Sequence, residues 1–166
     1  MPASLSLPVE RTLLNPFLAY SGSATQTFFN HWPFELECGE ALPVLQLAYH
    51  TYGKLNATAD NVIWVCHALT ANSDVAQWWP GMVGPGAVFD TDTHFVVCVN
   101  MPGSCYGSTG PCSLNPATGL AFGSDFPLVT IRDIVRAYQL LAGHLGIRRI
   151  GLLIGGSMGG QQVLEW

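Results

Sequence analysis

Ile150-Gly151-Leu152-Leu153-Ile154-Gly155-Gly156-Ser157-Met158-Gly159-Gly160 is the stretch whose reading decides the fold. A short apolar run, fit to be a buried strand, leads into Gly155-Gly156-Ser157-Met158-Gly159, a match to G-x-S-x-G. Small residues on both sides permit a sharp strand-to-helix turn that lifts one hydroxyl above a sheet. In such a turn Gly155 and Gly159 avoid side-chain clashes where strand and helix run close together. Gln161 to Glu165 then suits a helix with its N-terminus under the serine.

A serine hydroxyl is a weak nucleophile until a neighbouring base takes its proton. In this architecture the order along the chain is serine, then an acid, then histidine. After Ser157 the sequence offers neither Asp nor His before Trp166; its one carboxylate, Glu165, is about two helical turns away. The expectation is therefore that these 166 residues are the front part of a longer enzyme and by themselves inactive.

Composition agrees with a layered α/β domain. Apolar residues make up 49% of the chain and charged residues only 10%, so most strands want cover on both faces, as in parallel sheets. Missing elements would leave apolar surface bare, and poor solubility is expected of the isolated chain. The net charge of −5 and the single lysine, Lys54, exclude a basic nucleic-acid stripe. Cys38, Cys66, Cys98, Cys105 and Cys112 are odd in number and irregular in spacing, which is neither a disulfide framework nor a metal-ligand set. No basic start followed by an apolar core marks a secretory signal, and no apolar run approaches the ~20 residues of a membrane span. A reducing cytoplasm fits best.

Along the chain, residues 1–32 read as an irregular leader, and residues 33–166 as the N-terminal portion of one domain. Phe34–Cys38 and Pro43–Tyr52 suggest an antiparallel hairpin at a sheet edge, turning at Gly39-Glu40. Val62–Cys66 and Phe95–Val99 are continuous apolar runs typical of buried strands. A short helix is expected over Val75–Trp79. Met101–Pro127, rich in Gly, Ser, Pro and Asn, reads as a long functional loop. Ile131, Ile134, Val135, Tyr138, Leu141 and Leu145 recur at helical spacing, with Thr130 as N-cap, Asp133 in the first turn and Gly146 as the stop. Strand, helix and strand over Phe95–Ile154 imply a right-handed crossover and a parallel sheet.

The glycine-rich turn has one competing reading, a phosphate loop at a helix N-terminus. G-x-G-x-x-G is not satisfied, however, because Ser157 stands where the second glycine belongs, and no P-loop lysine follows. If Ser157 is an acyl-transfer nucleophile, its tetrahedral intermediate needs oxyanion donors. One is the amide of the next residue, Met158; the other comes from the loop after an earlier strand, where Leu69 is the best candidate. His67 ends that earlier strand and reads as a hydrogen-bonder shaping the loop rather than a base. His31, His50, His94 and His144 all precede the elbow and read as ordinary surface or core residues.

Several motifs occur in a characteristic order: His67-Ala68-Leu69-Thr70, Asn100 through Cys105, Gly107-Ser108-Thr109-Gly110-Pro111, Asn115-Pro116-Ala117-Thr118-Gly119, Asp125-Phe126-Pro127, Thr130-Ile131-Arg132-Asp133, and the Gly155–Gly160 elbow. Together they resemble the N-terminal part of the homoserine O-acetyltransferases, acyltransferases of the α/β-hydrolase fold. The resemblance runs from about Phe34 to Trp166. It implies a mostly parallel sheet with flanking helices, cut short after the nucleophile elbow. It also implies that Ser157 takes an acetyl group from acetyl-CoA and passes it to the hydroxyl of L-homoserine for methionine synthesis, with the amides of Leu69 and Met158 as the oxyanion hole. Acetyl-CoA enters as acyl-donor substrate; no bound cofactor and no metal are implied. The family's helical lid and its Asp and His would lie beyond Trp166, and its members are usually cytoplasmic homodimers. Asn72-Ser73 and Met101-Pro102 depart from the more glycine-rich sequences expected there. Both lie in loops that border the acyl pocket, where a succinyl donor or a serine acceptor would be selected.

Two other readings remain beside the acyltransferase. One is a serine esterase of the same fold, in which water deacylates the enzyme; the other is a non-catalytic scaffold that keeps the fold without the triad.

Overall fold

The computed structural model describes residues 24–166. Among them, in chain order, are strands β1 (Gln26–Asn30), β2 (Phe34–Glu35), β3 (Ala41–Leu42), β4 (Leu45–Tyr52) and β5 (Val62–Cys66), helix α1 (Val75–Trp78), strands β6 (Val83–Gly84), β7 (Phe89–Asp90) and β8 (Phe95–Val99), helix α2 (Ile131–His144), strand β9 (Ile150–Gly155) and helix α3 (Met158–Glu165). The main sheet runs β1-β4-β8-β5-β9. β8, β5 and β9 are parallel to one another, while β4 is antiparallel to both β8 and β1.

The unbroken apolar runs of β5 and β8 have the cause expected of them, cover on both faces. Val62, Trp64, Cys66, Val97 and Val99 join one core with Ile134, Ala137, Tyr138 and Leu141 of α2. The alternate residues Ile63, Val65, Val96 and Cys98 join a second core with Val75, Val83 and Phe89. Trp64 is central to the first: its ring lies 5.8 Å from Tyr138 and 5.0 Å from Trp166. The Tyr138 hydroxyl satisfies itself on the Val99 carbonyl at 3.2 Å.

α2 begins where the sequence puts it. The Thr130 side chain accepts from the Asp133 N–H at 3.2 Å, and the Asp133 carboxylate accepts from the Thr130 N–H at 3.0 Å, a reciprocal capping box. Asp133 is buried and also accepts from the Glu37 N–H at 3.1 Å, which ties the helix start to the hairpin segment. Gly146, with φ +72°, ends the helix.

Two expectations need correction. Phe34–Cys38 and Pro43–Tyr52 do not form one hairpin: β2 pairs only with the two residues of β3, and β4 pairs with β1 and β8 inside the main sheet. Pro43, which lacks an N–H, follows directly on Leu42, where the β2–β3 ladder ends, and β4 starts afresh at Leu45 in the main sheet. The partner it finds, Gln26–Asn30, falls within the stretch read as an irregular leader. Its side chains alternate between half-buried and exposed, as an edge strand's do, with Phe28 packed against the core. Residues 1–23 of that leader lie outside the described residues.

β9 lies at the other end of the sheet and pairs with β5 alone among the described strands. Leu152 on β9 is 45% exposed and Leu164 on α3 is 89% exposed.

Candidate active site

The elbow forms at the seam between β9 and α3. Ser157 takes φ +56° and ψ −127°, a left-handed backbone that L-residues seldom adopt; among the described non-glycine residues only Ala59 shares a positive φ. Such strain costs of order 1–3 kcal/mol and persists only where the surroundings enforce it. Here they do. A Cβ on Gly155 would lie 2.5 Å from the Gly159 oxygen and 2.9 Å from the Cys66 oxygen. On Gly159 it would run into the Cys66 carbonyl oxygen, and stand 2.7 Å from the Cys66 carbonyl carbon and 2.9 Å from the His67 oxygen. Only glycines let α3 press against the end of β5, and that pressure bends the chain at Ser157. Gly156 is not constrained in this way, since nothing lies within 4 Å of its would-be Cβ.

Ser157 is exposed at the start of α3. Met158 opens the helix, so its N–H is one of the amides that no helical carbonyl can satisfy. Leu69 sits in the loop after β5 and is 61% exposed. Leu69 and Met158, far apart in sequence, line one cavity of about 370 Å³ together with Met101, Pro102, Phe126 and Val129. That cavity is walled by the loop after β5, the long loop after β8 and the elbow. The departure Met101-Pro102 therefore borders the same space as the two proposed oxyanion residues. Asn72-Ser73 does not: it lines a separate polar pocket of about 250 Å³ with His50, Asp74, Asn100 and Tyr106.

His67 is fully buried, with Nδ1 2.7 Å from the Ala68 carbonyl oxygen. A carbonyl can only accept, so Nδ1 carries the proton and donates. Burial pulls the imidazole below the usual histidine range, against the opposing influence of the Ala68 and Val99 carbonyls. A neutral ring locked onto the loop agrees with the shaping role read from the sequence. Among the other histidines, His31 stacks on Phe29, His144 lies against Phe28, and His94 contacts Thr93 and the Asp90 carbonyl. His50 is the core residue of the set: it is buried, with Nδ1 2.8 Å from the Ser73 hydroxyl and Nε2 3.2 Å from that of Thr25. Burial lowers its pKa, opposed by the charge of Asp74.

The sequence reading missed this polar network around His50, Ser73, Asn100 and Tyr106. The signal available was Asn100 at the end of an all-apolar strand, a polar residue where the chain is still buried. Cys66 and Cys98 are buried, as their strand positions imply, whereas Cys38, Cys105 and Cys112 are exposed; all five are free thiols. Among the described residues no cluster of His, Cys, Asp or Glu is suited to hold a metal ion, and no helix is long and apolar enough to cross a membrane.

A serine on a strained turn between a parallel strand and a helix, followed by a residue that lines a cavity, defines the class. Residues 61–166 match the α/β hydrolase fold family, and the chain belongs to it. Within that fold the motif resemblance is borne out. A homoserine O-acetyltransferase of Chlorobaculum parvum is 53% identical over 150 residues, which cover 90% of this chain and 42% of that protein. The crystal structure of homoserine O-acetyltransferase from Bacillus anthracis is similar at TM-score 0.79 and 33% identity, covering 86% of this chain and 42% of that one. An esterase of known crystal structure matches at TM-score 0.81 and 31% identity, covering 86% of this chain and 43% of that one. The chain thus spans well under half the length of these relatives.

Proposed function

We propose that this chain carries the nucleophile half of a homoserine O-acetyltransferase. The observation that carries the reading is the 53% identity to such an enzyme over 150 residues, 90% of this chain. In this reading Ser157 Oγ attacks the thioester carbonyl of acetyl-CoA, giving up its proton to a histidine base. The tetrahedral oxyanion is met by the Leu69 and Met158 amides, and its collapse expels CoA as the thiol. The homoserine hydroxyl then attacks the acetyl-serine, giving O-acetylhomoserine for methionine synthesis and restoring the Ser157 hydroxyl. We assign the base and its orienting acid to the part of the relatives' length that these residues do not cover. The exposed edge of β9 and the bare Leu152 and Leu164 support that assignment, because such surfaces want covering. A cytoplasmic homodimer is the accompanying expectation for the full-length protein.

The likeness to an esterase favours one second reading, in which water takes the place of homoserine. Both begin with the same acyl-serine and part at its fate. The test is CoA release by the full-length protein from acetyl-CoA, with and without homoserine, and with serine and succinyl-CoA as substituted arms. The acetyltransferase reading expects release that depends on homoserine and is faster from acetyl-CoA than from succinyl-CoA. Equal release without any amino acid identifies a hydrolase and overturns the reading.

A further inference from the structure

The loop carrying Leu69 and the loop carrying Met101 and Pro102 leave adjacent parallel strands, β5 and β8, and wall the same cavity. One side chain joins them. Asn100, the residue after β8, is 3% exposed and uses both ends of its amide. Its Oδ1 accepts from the Ser73 N–H at 2.7 Å, and its Nδ2 donates to the Tyr106 carbonyl at 2.7 Å. The first bond fixes the far end of the Leu69 loop; the second fixes the run from Met101 to Tyr106. The main chain of Asn100 is itself fastened to β4. Its N–H donates to the Ala48 carbonyl at 2.8 Å, and its carbonyl accepts from the Ser108 hydroxyl. That hydroxyl oxygen accepts in turn from the Ala48 N–H at 3.0 Å. The Tyr106 hydroxyl reaches back 3.4 Å to the Thr70 carbonyl, one residue from Leu69.

We propose that Asn100 is a positioning residue for acyl transfer: its buried amide sets the Leu69 N–H and the cavity wall at Met101 and Pro102 in one register. The inference rests on the acyl-serine reading above. A primary amide suits the task because one end must accept from a backbone N–H while the other donates to a backbone carbonyl, and neither a carboxylate nor an apolar side chain does both. Preorganised donors act only if they sit where the oxyanion forms, and a misplacement of about 1 Å costs up to ~10²-fold in rate.

The test compares Asn100→Asp and Asn100→Leu with the parent in the full-length protein. The Asp variant has the same shape and still accepts from the Ser73 N–H, but it sets an oxygen against the Tyr106 carbonyl. Pre-steady-state CoA bursts from acetyl-CoA and butyryl-CoA count the active sites and give the acylation rate per site. The expected result is a rate per site lowered roughly tenfold to a hundredfold, little change in KM, and a weakened preference for acetyl over butyryl. A merely structural role lowers the number of active sites and leaves rate per site and acyl preference alone; that outcome overturns the proposal. If the Leu variant does not fold, the Asp variant carries the test. Ser157→Ala, run in parallel, separates the two claims. If it abolishes the burst while the Asn100 variants match the parent, only the positioning role fails. If the burst survives Ser157→Ala, the acyl-serine reading fails and this inference with it.

Discussion

Substituting Gly159 by Ala tests whether close packing of α3 on β5 is what bends the chain at Ser157. The new methyl group would strike the Cys66 carbonyl oxygen and stand 2.7 Å and 2.9 Å from two further backbone atoms. Carbon and oxygen ordinarily approach no nearer than about 3.3 Å. The obstacle is backbone rather than a side chain that could swing aside, so strand and helix must part by roughly 1 Å. Overpacking of this kind costs about 3 kcal/mol. Against it stands the gain of about 1 kcal/mol from replacing a helical glycine by alanine, which leaves a net loss of about 2 kcal/mol. Gly160 is the internal control. Its would-be Cβ meets the Gly155 oxygen at 3.4 Å, an ordinary contact, so Gly160→Ala keeps the helix gain without the clash. The two variants, one residue apart, should thus differ by about 3 kcal/mol in urea unfolding of the full-length protein. Gly159→Ala should also lose most of its acyl transfer, because the displaced turn carries Ser157. Equal stability of the two variants would refute the packing argument.

Further outcomes follow from the same geometry. Ser157→Gly should stabilise the fold by about 1 kcal/mol through relief of the left-handed φ while abolishing acyl-enzyme formation; calorimetry that shows no rise in the midpoint contradicts the strain. Burial pushes the Cys66 thiol up to about 12 and that of Cys98 well above the usual range, so both stay protonated and shielded near pH 8. A thiol-reactive dye should therefore label Cys38, Cys105 and Cys112 in the native chain, and Cys66 and Cys98 only after denaturation. His50 and His67 both titrate below their usual range in the fold, chiefly through burial. As pH falls the unfolded chain takes up protons first, so this part of the stability is present above about pH 6.5 and declines below it. Urea midpoints between about pH 7 and about pH 5.5 should fall, and His50→Gln should flatten part of the fall; an unchanged slope rules His50 out as a contributor.

What the sequence made legible was local. The capping box of Thr130 and Asp133, the apolar stripe of α2, the two buried runs and the glycines of the elbow each have a cause that acts within a few residues. Gly155 and Gly159 could be read as obligatory because a strand-to-helix turn admits nothing larger; Gly155 stands against the backbone of Gly159 and Cys66, and Gly159 against that of Cys66 and His67. The misread elements depend on partners elsewhere in the chain. β4 looked like half of a hairpin because the strand it needs, Gln26–Asn30, is polar enough to pass for leader. That strand owes its existence to the edge of the sheet rather than to its own composition. The same limit hid the clamp at Asn100, whose partners Ser73 and Tyr106 are identified by backbone atoms that no side-chain pattern reveals. Leu69 and Met158 could be named from the logic of an elbow, but their common cavity required the fold.

The most direct measurement of the central claim is mass spectrometry of the full-length protein after brief exposure to acetyl-CoA in the absence of homoserine, with the modified residue mapped by fragmentation. A single acetyl group on Ser157, removed when homoserine is added and appearing as O-acetylhomoserine, is the predicted result. An unmodified Ser157 in protein that still turns over, or a stable acetyl group on another residue, contradicts the account.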